Sequence, residues 1–195
     1  MTKLSTSDED PNVLDMFVPR PHLWTGEEYD SLPEDNVRRE LVDGVLVVSP
    51  YPNNDHQTLA AELTVALRRQ APRHLYRVTQ NVEIKLNDKV RFVPDVVVMH
   101  AEAYTRRRSR FDVHDVMIAV EIESPSSRSF DRVLKPSHFG AAGVPYYWRI
   151  EMDDEPTLFV YENTGNAYRV MGTFTDKVEL DAPFPVAFDL RELAD

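Results

Sequence analysis

Cysteine is absent from this chain of 195 residues, which excludes disulfide scaffolds, thiolate-ligated zinc, iron–sulfur clusters and thiol nucleophiles. Long apolar runs are missing too, and none approaches the roughly 20 residues that cross a bilayer. The opening MTKLSTSDEDPN is polar and lacks the apolar centre of a secretory signal. The expectation is a cytoplasmic protein without membrane association. Basic residues are in deficit: 22 Lys and Arg stand against 33 Asp and Glu, a net charge of −11. That excludes a protein that coats nucleic acid by bulk positive charge, and a basic membrane-surface protein. The serines Ser124, Ser126 and Ser127 lack a Gly-x-Ser-x-Gly context, so turn formation and backbone capping explain them better than acyl transfer. His100 and His114 have no paired metal-ligand spacing.

What is present suffices for a core, because 42% of the residues are hydrophobic. Residues 1–20 are polar, acidic and proline-containing, and are expected to be disordered or extended. Residues 21–195 are expected to form one domain. The charge is unevenly spread. Residues 60–135 hold 14 basic and 10 acidic side chains, a net of +4, and the remainder holds 8 and 23, a net of −15.

Local patterns predict the elements. Thr25-Gly26-Glu27-Glu28 has the form of a capping box opening a short helix that Pro33 stops. Two apolar runs flank Asp43-Gly44, a strong hairpin signal. Residues 54–70 read as a helix with Leu59, Leu63, Ala66 and Leu67 on one face. Strands are expected over 81–86 and 90–99, over 116–123 and 146–151, and as a meander over 158–161, 168–174 and 177–180. A helix is expected near 133–142, with Pro136 in its first turn. The order implies a mixed α+β fold around one central mixed sheet flanked by helices, with a β-rich C-terminal part.

The chemistry concentrates in two segments. Along Val116–Glu123, alternation places Met117, Ala119, Glu121 and Glu123 on one face. Two carboxylates at the end of an otherwise apolar strand need a metal, a cationic partner or open water. In Phe92-Val93-Pro94-Asp95-Val96, a lone acid opens another apolar strand.

Together, Pro94-Asp95 and, 26 residues on, Glu121 in Val-Glu-Ile-Glu match the pattern of the PD-(D/E)XK phosphodiesterase superfamily. Arg39-Glu40-Leu41-Val42-Asp43-Gly44 and His56 before these segments, and Asp131, Lys135 and Ala142-Gly143-Val144-Pro145-Tyr146-Tyr147-Trp148 after them, complete the family order. The chain closely resembles, over about residues 23–165, the large bacterial family of putative restriction endonucleases, long a domain of unknown function. The resemblance implies a restriction-endonuclease-like core and hydrolysis of DNA phosphodiester bonds with Mg²⁺, or Mn²⁺ in its place. It implies Asp95 and Glu121 as the main metal ligands, with Glu40 completing the site. Cutting both strands would favour a homodimer.

One position departs from the superfamily. The residue two after Glu121 should be Lys and is Glu123, which could serve as a base or bind a second metal. Members of the closer family carry a Lys further on, and Lys135 matches it as the catalytic cation. His56 is a candidate for lining the site, although a lone histidine near a helix start is more often a cap. Asp131 is expected to cap or to pair near Arg128. Arg106, Arg107, Arg108 and Arg110 are candidates for contacting DNA phosphates, although such a run is usually a solvated loop. Glu40 could instead pair with Arg38 or Arg77, and Tyr147 and Trp148 belong in the core. The alternative is a catalytically silent nucleic-acid-binding or protein-interaction module on the same fold. A glycosidase using two carboxylates has little support, since the best pair sits two apart on one strand.

Overall fold

The computed structural model describes residues 22–33, 37–105, 107–124, 127–165 and 167–194. The expected N-terminal extended segment, residues 1–20, lies outside them. Helix α1 (Gly26–Asp30) opens with the anticipated capping box, in which the Glu28 amide donates to Thr25 Oγ1 and the Thr25 amide to the Glu28 carboxylate.

Strands β1 (Arg39–Val42) and β2 (Val45–Val48) form the hairpin around Asp43-Gly44. Both turn residues have positive φ, +50° and +81°, as a two-residue turn matching strand twist requires. A Cβ at Gly44 would lie 2.9 Å from Leu23 Cβ and 3.2 Å from the Trp24 carbonyl oxygen. Gly44→Ala should therefore lower unfolding stability by about 1–3 kcal/mol, read from urea denaturation.

Helix α2 (Asn54–Gln70) is capped by Asn53, whose side chain accepts from the His56 amide, and it buries Leu59, Leu63 and Leu67. Strands β3 (Tyr76–Gln80), β4 (Glu83–Asn87), β5 (Val90–Phe92), β6 (Val96–His100), β7 (Arg110–Asp112) and β8 (Val116–Glu123) follow. After a π-helical turn at Phe130–Leu134 come α3 (Lys135–Ala141), β9 (Tyr146–Met152), β10 (Pro156–Asn163) and β11 (Tyr168–Phe174). The ribbon β12 (Lys177–Leu180) and β13 (Val186–Asp189) precedes α4 (Leu190–Ala194).

The mixed sheet is divided. A six-stranded sheet runs β11-β10-β9-β8-β6-β3 and is antiparallel except for β8–β9. A five-stranded sheet runs β2-β1-β5-β4-β7, with only β4–β7 parallel. One face of the six-stranded sheet (Val96, Val98, Ile118, Val120, Ile150) packs under Leu59 and Leu63 of α2. Its other face (Val97, Met99, Ala119, Tyr147) packs against Ile84 and Phe92 of the five-stranded sheet and Phe139 of α3.

Three expectations are corrected. The anticipated strand 90–99 is two strands in different sheets, because Pro94 has no amide to donate and the chain crosses between sheets there. The simple alternation along β8 is interrupted by a bulge. Val98 opposes Ile118 but Met99 opposes Val116, so Met117 is the extra residue. Val116 thus joins the Ala119 face, while Met117 turns toward the α2 side. Finally, helical structure begins before residue 133. The Lys135 amide bonds back to the Phe130 carbonyl, and this widened turn accommodates Pro136, whose ring would clash with the Arg132 carbonyl in a continuous α-helix.

Candidate active site

The division of the sheet builds the site. Asp95 stands where the chain enters β6, whose first residue, Val96, opposes Val120 of β8. Beyond that pair β8 has no further backbone partner on this side among the described residues, and the Asp95 side chain replaces one: its Oδ2 accepts from the Ile122 amide at 2.8 Å. Glu121 projects beside it. From the five-stranded sheet Glu40 arrives on β1, its Oε1 accepting from the Val93 amide at 2.8 Å. The π-turn and α3 bring in Asp131 and Lys135. These groups line a cavity of about 380 Å³ that also reaches His56, Glu123 and the segment 49–53.

Two cations hold these acids. The Lys135 ammonium lies 3.0 Å from Glu121, 3.3 Å from Glu40 and 3.3 Å from Asp131. Arg38 donates to Asp95 Oδ1 at 2.8 Å and to the Val93 carbonyl, and sits 3.9 Å from Glu121. His56 Nε2 lies 3.1 Å from Asp95 Oδ2. Asp95, Glu121, Asp131, Glu40 and Lys135 are each at most 4% exposed.

Burial and charge then set protonation. Burial raises the Asp95 pKa, but Arg38 and His56 outweigh it and hold the carboxyl well below its usual range. Burial dominates at Glu121 and pushes it well up; Lys135 opposes the rise, and the neighbouring acids add to it. Asp131 is raised for the same reason, against the pull of Lys135 and the Ser127 hydroxyl. Burial would lower Lys135, but Glu121, Glu40 and Asp131 raise it above the ordinary lysine value, so it is a permanent cation at neutral pH. Four carboxylates against two cations leave a formal −2 when all are ionised.

The anticipated site residues separate into two groups. Asp95, Glu121, Lys135, Glu40 and His56 meet in the cavity. Asp131, expected to cap or to pair near Arg128, accepts from the Ser127 hydroxyl and joins the cluster through Lys135. Glu123 reaches the rim but is clamped, receiving two bonds of 2.7 Å from Arg132, with Arg128 at 3.1 Å and Arg149 at 3.9 Å. Those arginines also engage Glu151 and Asp153. A carboxylate so neutralised is a structural anchor. Glu123→Gln should cost about 1.5–3 kcal/mol of stability, the value of hydrogen bonds to a charged group, and leave the rate of any cleavage essentially unchanged.

Elsewhere, Arg108 pairs with Asp112 and stacks on Phe111, and Arg110 pairs with Asp30 and Glu83. Neither lines the cavity, Arg107 is exposed, and Arg106 lies outside the described residues. Tyr147 and Trp148 are core residues. Sequence reasoning considered Arg38 only as a partner for Glu40. Its position just before the Glu40 motif was the one signal, and no spacing rule connects it to Asp95.

Among the described residues, no three or more His, Asp or Glu side chains are already grouped so as to hold a metal ion. None of the helices among them is long and apolar enough to cross a membrane.

Comparison with known proteins bears on this geometry. Residues 26–192 match the family Uma2, described as "Putative restriction endonuclease". The chain belongs to this family. The Uma2 match runs past residue 165, the limit of the sequence resemblance, and takes in the C-terminal ribbon. A solved structure of a putative nuclease belonging to DUF820, from Anabaena variabilis ATCC 29413, is similar with a TM-score of 0.73 at 20% identity. The similarity covers 87% of this chain and 97% of that one. This Uma2 chain therefore shares that protein's mixed α+β fold. No curated protein matches it significantly.

Proposed function

We propose that this Uma2 protein is a metal-dependent endonuclease of the PD-(D/E)XK type that hydrolyses phosphodiester bonds in DNA. The observation that carries the reading is the convergence of Asp95 and Glu121 from adjacent strands on one buried cavity, beside a lysine held permanently charged. The donors are all hard oxygens, which suits Mg²⁺ or Mn²⁺ rather than a soft-ligand metal. With all four acids ionised the cluster carries a formal −2, which one divalent ion would offset.

Asp95 and Glu121 would hold the ion, with Glu40 as the upstream acid. When bound, such an ion polarises the scissile phosphate and makes water a better nucleophile. Lys135 fills the role that Glu123 cannot. As a fixed cation it stabilises the negative charge developing on phosphate and orients the attacking water, but it does not accept a proton. His56 fixes the orientation of Asp95 from the opposite side.

Supercoiled plasmid incubated with Mg²⁺ or Mn²⁺ should be nicked or linearised, and EDTA should stop the reaction. DNA left intact over a broad range of metal, salt and pH would overturn the proposal. Cutting both strands calls for two such sites, and hence a homodimer, which light scattering would detect. One observation favours a catalytically silent DNA- or protein-binding module instead: both oxygens of Asp95 already have protein partners. DNA binding without any Mn²⁺ binding would establish that reading.

A further inference from the structure

Arg38 is a cation at the heart of the cavity that the proposed chemistry leaves without a task. Its guanidinium bridges the two proposed ligands, 2.8 Å from Asp95 Oδ1 and 3.9 Å from Glu121 Oε2. The other oxygen of Asp95 is committed to fixed parts of the fold, the Ile122 amide of β8 and the His56 ring of α2. Oδ1 is held by Arg38. The guanidinium itself is incompletely committed, because its Nε is buried without a hydrogen-bond partner among the described residues.

We infer that Arg38 is a positioning residue that stands in for the divalent cation: it bridges Asp95 and Glu121 in the metal-free protein and yields Asp95 Oδ1 when the ion binds. The inference rests on the metal site proposed above. It follows from competition. Two buried carboxylates brought together need a positive charge between them, and the protein supplies one that is not covalently fixed at that point. The guanidinium keeps the site formed without metal, at the cost of metal affinity.

The sign of the effect distinguishes this role from ordinary support. A merely structural arginine, once removed, would loosen Asp95 and weaken metal binding. A stand-in, once removed, strengthens it. Calorimetric titration of Mn²⁺ into the full chain should give a Kd for Arg38→Gln roughly ten- to a hundredfold tighter than wild type, since one charge-assisted hydrogen bond no longer has to break. Arg38→Lys, which keeps the charge but cannot span the same partners, should fall between the two. Thermal melts should show a larger Mn²⁺-induced rise in Tm for Arg38→Gln than for wild type. Unchanged or weaker Mn²⁺ binding in the variants, with binding in wild type, would overturn the role of Arg38 while leaving the metal site standing. Absence of Mn²⁺ binding in wild type and variants alike would overturn both. If Arg38→Gln does not fold, Arg38→Lys decides alone: tighter binding supports the inference and equal or weaker binding defeats it.

Discussion

Asp95→Asn and Glu121→Gln should each lower Mn²⁺-dependent cleavage of plasmid DNA by about 10²–10³-fold, the loss typical of removing one preorganised charge-stabilising group. The two variants should nonetheless differ in stability, and that difference separates chemistry from folding. Asp95 is held well below its usual pKa by Arg38 and His56, so its charge is a native interaction. Neutralising it leaves the Arg38 guanidinium without its counter-ion, and the melting temperature should fall. Glu121 is raised mainly by burial, so its charge is disfavoured in the folded protein. Glutamine removes that burden, and the fold should be as stable as wild type or more so. Cleavage kinetics beside urea melts would check both halves. Cleavage by Glu121→Gln at the wild-type rate would remove Glu121 from the mechanism.

Lys135→Met should lower stability by about 3–5 kcal/mol, because it strips three buried carboxylates of their shared cation. Cleavage should fall about 10²-fold as well. The stability deficit should depend on pH in a defined direction. Glu121 and Asp131 already have pKa values above their ordinary 4.5 and 3.8 in the folded protein, and without Lys135 they rise further. A carboxyl raised in the folded state makes that state bind more protons than the unfolded one. Stability therefore grows as pH falls and drains away as pH rises through the folded value. The gap between Lys135→Met and wild type should narrow from pH 7.5 to pH 5, as read by denaturant melts. A gap that widens on acidification would show that the three acids are not the source of the deficit.

Much of this was legible in the chain. The capping box at Thr25, the Asp43-Gly44 turn and the α2 face are local signals, and each produced the element it announced. Asp95, Glu121 and Lys135, singled out by their order along the chain, meet in one cavity. What escaped has physical reasons. Pro94 was read as the first half of a Pro-Asp pair when it also divides one apolar run between two sheets. A bulge at Met117 changes no composition, so strict alternation misassigned the residues before it. Glu123 shares a strand and a face with Glu121, but its arginines, Arg128, Arg132 and Arg149, stand 5, 9 and 26 residues onward, the last on β9. The same distance hid Arg38, 57 residues from Asp95.

The Lys135 ammonium touches Glu40 of one sheet and Glu121 of the other, and Arg38, just ahead of β1, grips the first residue before β6. The charge cluster is thus a clasp across the seam between two layers. Neither layer can slide past the other without pulling apart the groups proposed for catalysis. Any ligand that tightens the clasp must also make the two layers unfold more nearly as one, so occupancy of the site should be visible as amide-exchange protection far from it, in β4 and β10 alike.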